Sequence, residues 1–295
     1  MNKYLFVLCP PYSGSTVLWQ VLRTSQQISA LPREGQYLDP VKAIMRADPW
    51  NPDHTLPWPQ IKEEWRKIWD TAKRVLLEKS PPNLIRAKAI ADAFAPCWFI
   101  VMIRDPYAQC EGLARRRKRV FHASERTPSR ERAMELCAER WTDFAERQIE
   151  NIRTLERVVH FTYEELTDNT ALVVDKLRCF MPELAEIDPT QKFRAHAATG
   201  KGSRVLTNLN GVKWRSLGRR NIEAINRVLS KRQDLLDFFG CRIKDPEPLQ
   251  NLYSAVTRTK AFAQQIRSIG RDSAQQALRS VRRISRDSRA LSRPG

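Results

Sequence analysis

No apolar run in this 295-residue chain approaches the roughly 18–20 residues that a membrane-spanning helix needs, so no such helix is expected. The apolar N-terminus runs into a loop without the cleavage pattern of a secretory leader, and the expected location is the cytoplasm, peripheral to a membrane at most. Six cysteines (Cys9, Cys97, Cys110, Cys137, Cys179 and Cys241) show neither C-x-x-C spacing nor pairing with the four histidines. A disulfide framework and a zinc site are therefore set aside, and the thiols are expected to be buried. Acidic residues are scarce, with 33 Asp and Glu against 51 Lys and Arg, which leaves a formal charge of +18. Such an excess calls for an anionic ligand, nucleic acid or an acidic membrane surface, without choosing among them. No repeat of fixed period is present. Hydrophobic residues at 42% and charged residues at 28% are ordinary for a globular chain. The length suffices for one large α/β domain, alone or with an appendage.

What is present begins with Lys3-Tyr-Leu-Phe-Val-Leu-Cys9, an apolar run of strand length. Pro10-Pro11-Tyr12-Ser13-Gly14-Ser15-Thr16 follows, and then Val17, Leu18, Val21 and Leu22 at helical spacing. A buried strand, a turn rich in glycine and hydroxyls, and a helix start place backbone N–H groups where an anion can sit. The alternative at this point is a helix capped in the ordinary way by Ser or Thr.

The next unit repeats that architecture. Arg74–Glu78 reads as a strand, Lys79-Ser80-Pro81-Pro82-Asn83 as a loop, and Leu84–Phe94 as a helix. Cys97–Ile103 is a continuous apolar run suited to the middle of a parallel sheet, and it ends in Arg104-Asp105-Pro106. Strands alternating with helices predict right-handed crossovers and a parallel sheet covered on both faces, with ligands at the carboxyl ends of the strands. Ser13, Lys79 and Arg104 all follow strand ends, so they are expected to converge on one crevice.

Between these units, Leu31–Pro40 carries one acid, Glu34, near its start. The Pro- and Trp-rich stretch 49–59 reads as a packed surface loop or a cleft wall, followed by a short helix with Trp65, Ile68, Trp69 and Ala72 on one face. Later come a long helix over 129–155, a strand over 157–161, and a helix from Thr162-Tyr163-Glu164-Glu165-Leu166 to about Cys179. A polar, basic region over 190–215 and a helix over 218–239 follow. Residues 249–295 hold ten Lys and Arg against two acids, a net +8, with only a thin apolar stripe. They read as a basic extension, partly helical or flexible, to a domain covering 1–248, and could be drawn to an anionic lipid surface.

Four separated segments together resemble sulfotransferases that use 3′-phosphoadenosine 5′-phosphosulfate (PAPS). Pro11–Thr16 is similar to that family's 5′-phosphosulfate loop, and Ile103-Arg104-Asp105-Pro106 to its 3′-phosphate motif. Glu78-Lys79-Ser80-Pro81 resembles the Lys-Ser/Thr-Pro segment of the glycan-modifying branch, and Tyr163-Glu164-Glu165-Leu166 the segment whose tyrosine lies near the adenine. The resemblance covers about residues 3–241 and implies an α/β fold of the P-loop NTPase-like, sulfotransferase type. It implies that Tyr12, Ser13, Gly14, Ser15, Thr16, Arg104 and Tyr163 bind the donor, with Lys201, Ser203 and Arg204 as further 3′-phosphate contacts. It implies Lys79 as the stabiliser of charge on the sulfuryl group and Glu34 as the base, because Glu34 matches the glycan branch's glutamate in order and spacing. The acceptor could be a small molecule, a glycan or a lipid; nucleic acid is not favoured.

The chemistry agrees with the resemblance. A ligand with a phosphosulfate at one end and a phosphate at the other needs donors at two separated points, which the Ser13–Thr16 loop and Arg104 can supply. The loop lacks the Gly-x-x-x-x-Gly-Lys-Ser/Thr pattern and a metal-binding acid on a neighbouring strand, so no metal is expected and a kinase of related fold is the alternative enzyme. A polyanion- or membrane-binding protein with a relic nucleotide fold is the alternative outside enzymes. Two positions depart from the family pattern: Tyr12 stands where a lysine or arginine is usual, and Gly112 where a serine usually meets the 3′-phosphate.

Overall fold

A computed structural model describes residues 2–115, 129–194 and 203–256. Strand β1 (Lys3–Leu8) lies at the centre of a five-stranded, wholly parallel sheet, between β3 (Val75–Glu78) and β4 (Cys97–Ile103). β2 (Ile28–Ala30) and β5 (Val158–Thr162) form the edges, giving the order β2-β3-β1-β4-β5. The strands alternate with α1 (Ser15–Leu22), α2 (Asp39–Arg46), α3 (Trp58–Arg66), α4 (Ala87–Ala93), α5 (Pro106–Arg115) and α6 (Arg130–Thr154). After β5 come α7 (Tyr163–Asp168) and α8 (Thr170–Phe180). A two-residue antiparallel pair, β6 (Phe193–Arg194) and β7 (Ser203–Arg204), precedes α9 (Asn210–Arg215), α10 (Arg219–Leu229) and α11 (Gln233–Phe238).

Period-two alternation along β1 explains the two cores. Tyr4, Phe6 and Leu8 face one layer with Trp58, Trp65, Phe94 and Phe99, while Leu5, Val7 and Cys9 face the other with Leu18, Leu22, Ile100 and Met102. A third cluster joins α5, α6, α10 and α11 through Tyr107, Cys137, Trp141, Ile222 and Leu236. The sheet is thus covered on both faces, as expected for strands that are apolar throughout.

The Pro- and Trp-rich stretch serves packing. Trp58 opens α3 with Pro59 in the first turn, where no backbone donor is required, and Trp58, Trp65 and Trp69 are buried. Ile68, expected on the buried face, is exposed because α3 ends at Arg66. The helix expected over 84–94 begins as a 3-10 turn, Pro81–Ile85, since the two prolines cannot donate within it. The helices expected over 163–179 and 218–239 are each divided, at Asn169 (φ −127°) and Arg232 (φ −134°). Four cysteines are buried as expected; Cys179 is exposed and Cys241 is half-buried.

Residues 250–256 are helical, and the Gln250 amide donates to the carbonyls of Trp214 (3.1 Å) and Leu217 (2.7 Å). The remainder of the basic extension lies outside the described residues. Among the described residues no helix is long and apolar enough to cross a membrane.

Candidate active site

The turn after β1 is closed by Ser13, whose hydroxyl and N–H both donate to the Pro10 carbonyl (2.6 and 3.3 Å). Gly14 follows with φ +94°, in the left-handed region, and a Cβ there would lie 2.7 Å from Cε2 of Tyr163. Only glycine meets both demands. Gly14 is also the N-cap of α1, and no side chain caps that end. The N–H groups of Ser15 and Thr16, in the first turn of α1, have no intrahelical acceptor, and the positive helix end points the same way. Ordinary Ser/Thr capping is therefore not what this turn does.

Arg104 stands just beyond β4 and is buried. Its Nε donates to Asn210 Oδ1 (2.8 Å), Nη1 donates to the Tyr12 carbonyl (3.2 Å), and the guanidinium lies 4.0 Å over the Tyr163 ring. Nη2 is buried with no hydrogen-bond partner. Burial lowers the pKa of this guanidinium, while Tyr163 and Glu164 favour the charged form. Leaving such a donor unpaired costs on the order of 1–3 kcal/mol, which a bound anion would remove. The frame around it is braced from three directions. Trp141 Nε1 donates to the Arg104 carbonyl (2.9 Å), Glu164 Oε1 accepts from the Asp105 N–H (3.0 Å) and from the Asn210 amide, and the Tyr163 hydroxyl donates to the Thr207 carbonyl (3.0 Å).

The two departures from the family pattern touch each other. Tyr12 takes φ +65°, rare for a residue with a side chain, and a Cβ at Gly112 would lie 2.8 Å from Tyr12 Cβ and 2.9 Å from Cγ. A serine at 112 would collide with the ring base of Tyr12 as it sits. Gly112 and Tyr12 are therefore packed against each other.

On the β3 side, Lys79 Nζ is 3.0 Å from Glu34 Oε1, and Glu34 Oε2 accepts from the Gln36 amide (2.6 Å). Lys79 is buried and Glu34 half-buried. Arg33, the neighbour that could have paired with Glu34, reaches Asp39 instead (3.8 Å). Beneath the pair, Glu78 Oε1 accepts from the Gly35 N–H (2.9 Å) and the Ser80 hydroxyl (2.5 Å), and Oε2 from the Asn83 amide (2.5 Å). Burial pushes the Glu78 carboxyl up to about 7, against the hydrogen bonds from Ser80 and Gly35. Cys9, at the end of β1, feels the charge of Lys79 and a hydrogen bond from Ser13, though burial dominates and raises its thiol to about 12. Ser13, Lys79 and Arg104 thus stand at the carboxyl end of the sheet, as their strand-end positions predict.

Thr16 sits in the first turn of α1. Lys201 lies outside the described residues, and Ser203 and Arg204 are described only as the backbone of β7. The residue that reaches Arg104 from the C-terminal half is Asn210, which sequence reasoning missed although the adjoining Gly211-Val-Lys213-Trp214-Arg215 stood out as basic. Glu164, Glu78 and Ser80 were also missed as parts of the site. Each lies inside a segment that was singled out for a neighbouring residue. His54 lies in the loop before α3, where its N–H donates to the Asn51 carbonyl (3.3 Å); His122 and His196 are outside the described residues.

A model of the sulfotransferase family matches residues 5–181. No curated protein matches the chain significantly. Among solved structures, the sulfotransferase from Alicyclobacillus acidocaldarius is similar at 11% identity and a TM-score of 0.50, over 82% of this chain and 97% of that one. The sulfotransferase domain from the curacin biosynthetic pathway is similar at 20% identity and a TM-score of 0.47, over 79% and 98%. Mouse sulfotransferase SULT7A1, complexed with PAP, is similar at 17% identity and a TM-score of 0.43, over 88% and 87%. The first of these shows a shared fold.

Proposed function

The chain belongs to the sulfotransferase family, and from that premise we propose that it moves a sulfuryl group from PAPS to a hydroxyl or amine acceptor. The observation that carries the choice of donor is the Arg104 Nη2, buried and without a partner beside an uncapped helix end. The loop and Arg104 lie against each other through the Tyr12 carbonyl, and their donors together suit an anion that carries more than one phosphate-type charge. Arg104 would hold the 3′-phosphate, with Asn210 and the Tyr12 carbonyl fixing its plane. Ser13, Gly14, Ser15 and Thr16 would hold the 5′ end through backbone N–H groups, and Tyr163, packed on Gly14, would border the adenine.

When bound, the donor supplies a preformed mixed anhydride whose sulfur is open to in-line attack. The acceptor oxygen forms a bond to sulfur as the bond from sulfur to the bridging phosphate oxygen breaks, and the electron pair leaves with adenosine 3′,5′-bisphosphate. Glu34 takes the acceptor's proton, and Lys79 offsets charge on the sulfuryl and leaving oxygens. The enzyme's part is chiefly positioning and charge stabilisation, by analogy with phosphoryl transfer. Lys79 and Glu34 pair with each other at 3.0 Å, so neither charge is left unpaired.

We further propose residues 1–248 as the catalytic domain and 249–295 as a basic extension that draws a cytoplasmic protein to anionic lipid; salt-sensitive binding to anionic vesicles would support the extension's role. The acceptor can be sought directly. The protein is incubated with radiolabelled PAPS and a cell extract, and transfer of label to an extract component supports the proposal. Transfer of label to an extract component from γ-labelled ATP, with none from PAPS, would favour the kinase alternative.

A further inference from the structure

We infer that Glu78, which the transfer chemistry does not touch, is a positioning residue: its buried carboxylate and the Ser80 hydroxyl set where Glu34 stands relative to Lys79. The inference rests on Glu34 being the base. Glu78 is the last residue of β3 and pairs in register with Phe6, so the central sheet dictates its direction. Ser80 is extended (φ −129°, ψ 124°), which puts Glu78 and Ser80 on the same side of the chain with Lys79 between them. From that side Glu78 Oε1 takes the Gly35 N–H (2.9 Å) and Ser80 Oγ takes the Gln36 N–H (3.2 Å). Ser80 also donates to Glu78, and the two form a single strut. Two successive N–H groups directly after Glu34 are therefore anchored to the two residues that flank Lys79.

The alternative of a merely convenient packing residue explains less. A fully buried carboxylate is expensive, and the upward push on this one records that cost. A neutral acceptor would satisfy Gly35 more cheaply; above about pH 7 this carboxyl is charged, and a charged acceptor makes the bond shorter and stronger. The turn also has little room to drift, because a Cβ at Gly35 would sit 2.6 Å from the Trp65 ring. Stiffness matters here because a displacement of about 1 Å between reacting groups can cost roughly 10²-fold in rate.

The test needs no identified acceptor, since water can take the sulfuryl group from PAPS through the same base. Glu78→Met, Ser80→Ala and Glu78→Gln are compared for three readouts: bisphosphate release from PAPS, calorimetric affinity for adenosine 3′,5′-bisphosphate, and amide hydrogen exchange. Glu78→Met and Ser80→Ala should speed exchange at residues 35 and 36 but not at 13–17, lower release about tenfold or more, and leave bisphosphate affinity within about twofold. Glu78→Gln keeps an acceptor for Gly35 and, once the Asn83 amide turns over, donates from its own amide to Asn83 Oδ1, which is buried and unpartnered. It should hold release several-fold above Glu78→Met. Faster exchange at 35 and 36 with unchanged release would overturn the inference, as would a parallel loss of bisphosphate affinity. If Glu78→Met does not fold, Ser80→Ala decides alone. Release unchanged in Glu34→Gln would refute the base instead; an inactive Glu34→Gln beside a fully active Ser80→Ala would refute only the positioning role.

Discussion

The two sides of the sheet's carboxyl end are finished to different degrees. At β4, Arg104 is buried with Nε and Nη1 bonded and Nη2 bare, beside a helix end that no side chain caps. At β3, Lys79 and Glu34 answer each other, and Glu78 beneath them has all three of its donors in place. The first side keeps a buried donor that an anion would satisfy. The second is complete on its own, and on the proposed reading it exchanges its internal partner for substrate. A binding surface can be left waiting; an acid–base pair left waiting would carry an unbalanced buried charge.

Changes at the two sides should therefore separate affinity from rate. Arg104→Ala carries the largest expected effect, a loss of about 2–5 kcal/mol in calorimetric affinity for adenosine 3′,5′-bisphosphate. A loss equally large for AMP would show that Arg104 holds the loop and not the 3′-phosphate. Next comes Glu78, whose carboxyl is raised from 4.5 to about 7 by burial. The folded state then binds more protons than the unfolded state between those values, so stability falls as pH rises through that window, by about 3 kcal/mol. Chemical denaturation at several pH values should show this slope in the wild type and not in Glu78→Gln.

Glu34→Gln should cut kcat on an identified hydroxyl acceptor by about 10²-fold or more and leave bisphosphate affinity near normal. Wild-type turnover in Glu34→Gln, with His54→Ala inactive, would move the base to His54. Smallest is Gly112→Ser, expected to cost about 1–3 kcal/mol in thermal stability by forcing Tyr12 aside. Replacing Tyr12 by glycine at the same time, which removes the Cβ and Cγ that the serine would meet, should recover part of that loss. Additive losses would mean that the two side chains do not meet.

Much of the scaffold was legible because buried parallel strands announce themselves as unbroken apolar runs. Cys97–Ile103 and the Val75–Glu78 core of the 74–78 run are cases in point, and α6 shows its helical spacing over 25 residues. The breaks at Asn169 and Arg232 were not legible, since apolar spacing continues across both. The strand-end positions of Ser13, Lys79 and Arg104 were readable from local pattern alone. Asn210 was not, because its contact with Arg104 bridges 106 positions of sequence. Nor was Glu78, for an acid at a strand end usually faces water, and only the packing of Trp65, Gly35 and Asn83 shows that this one does not. Tyr12 and Gly112 each read as a loss in the sequence, where nothing indicates that they meet.

The central claim is that the β4 side, with its unpaired buried donor, is a site for a nucleotide phosphorylated at the 3′ position. Calorimetry of the wild-type protein with adenosine 3′,5′-bisphosphate and with AMP tests it most directly. The account predicts a clear preference for the bisphosphate, because Arg104 Nη2 gains its missing partner only from the additional phosphate. Equal affinity for the two nucleotides would contradict it.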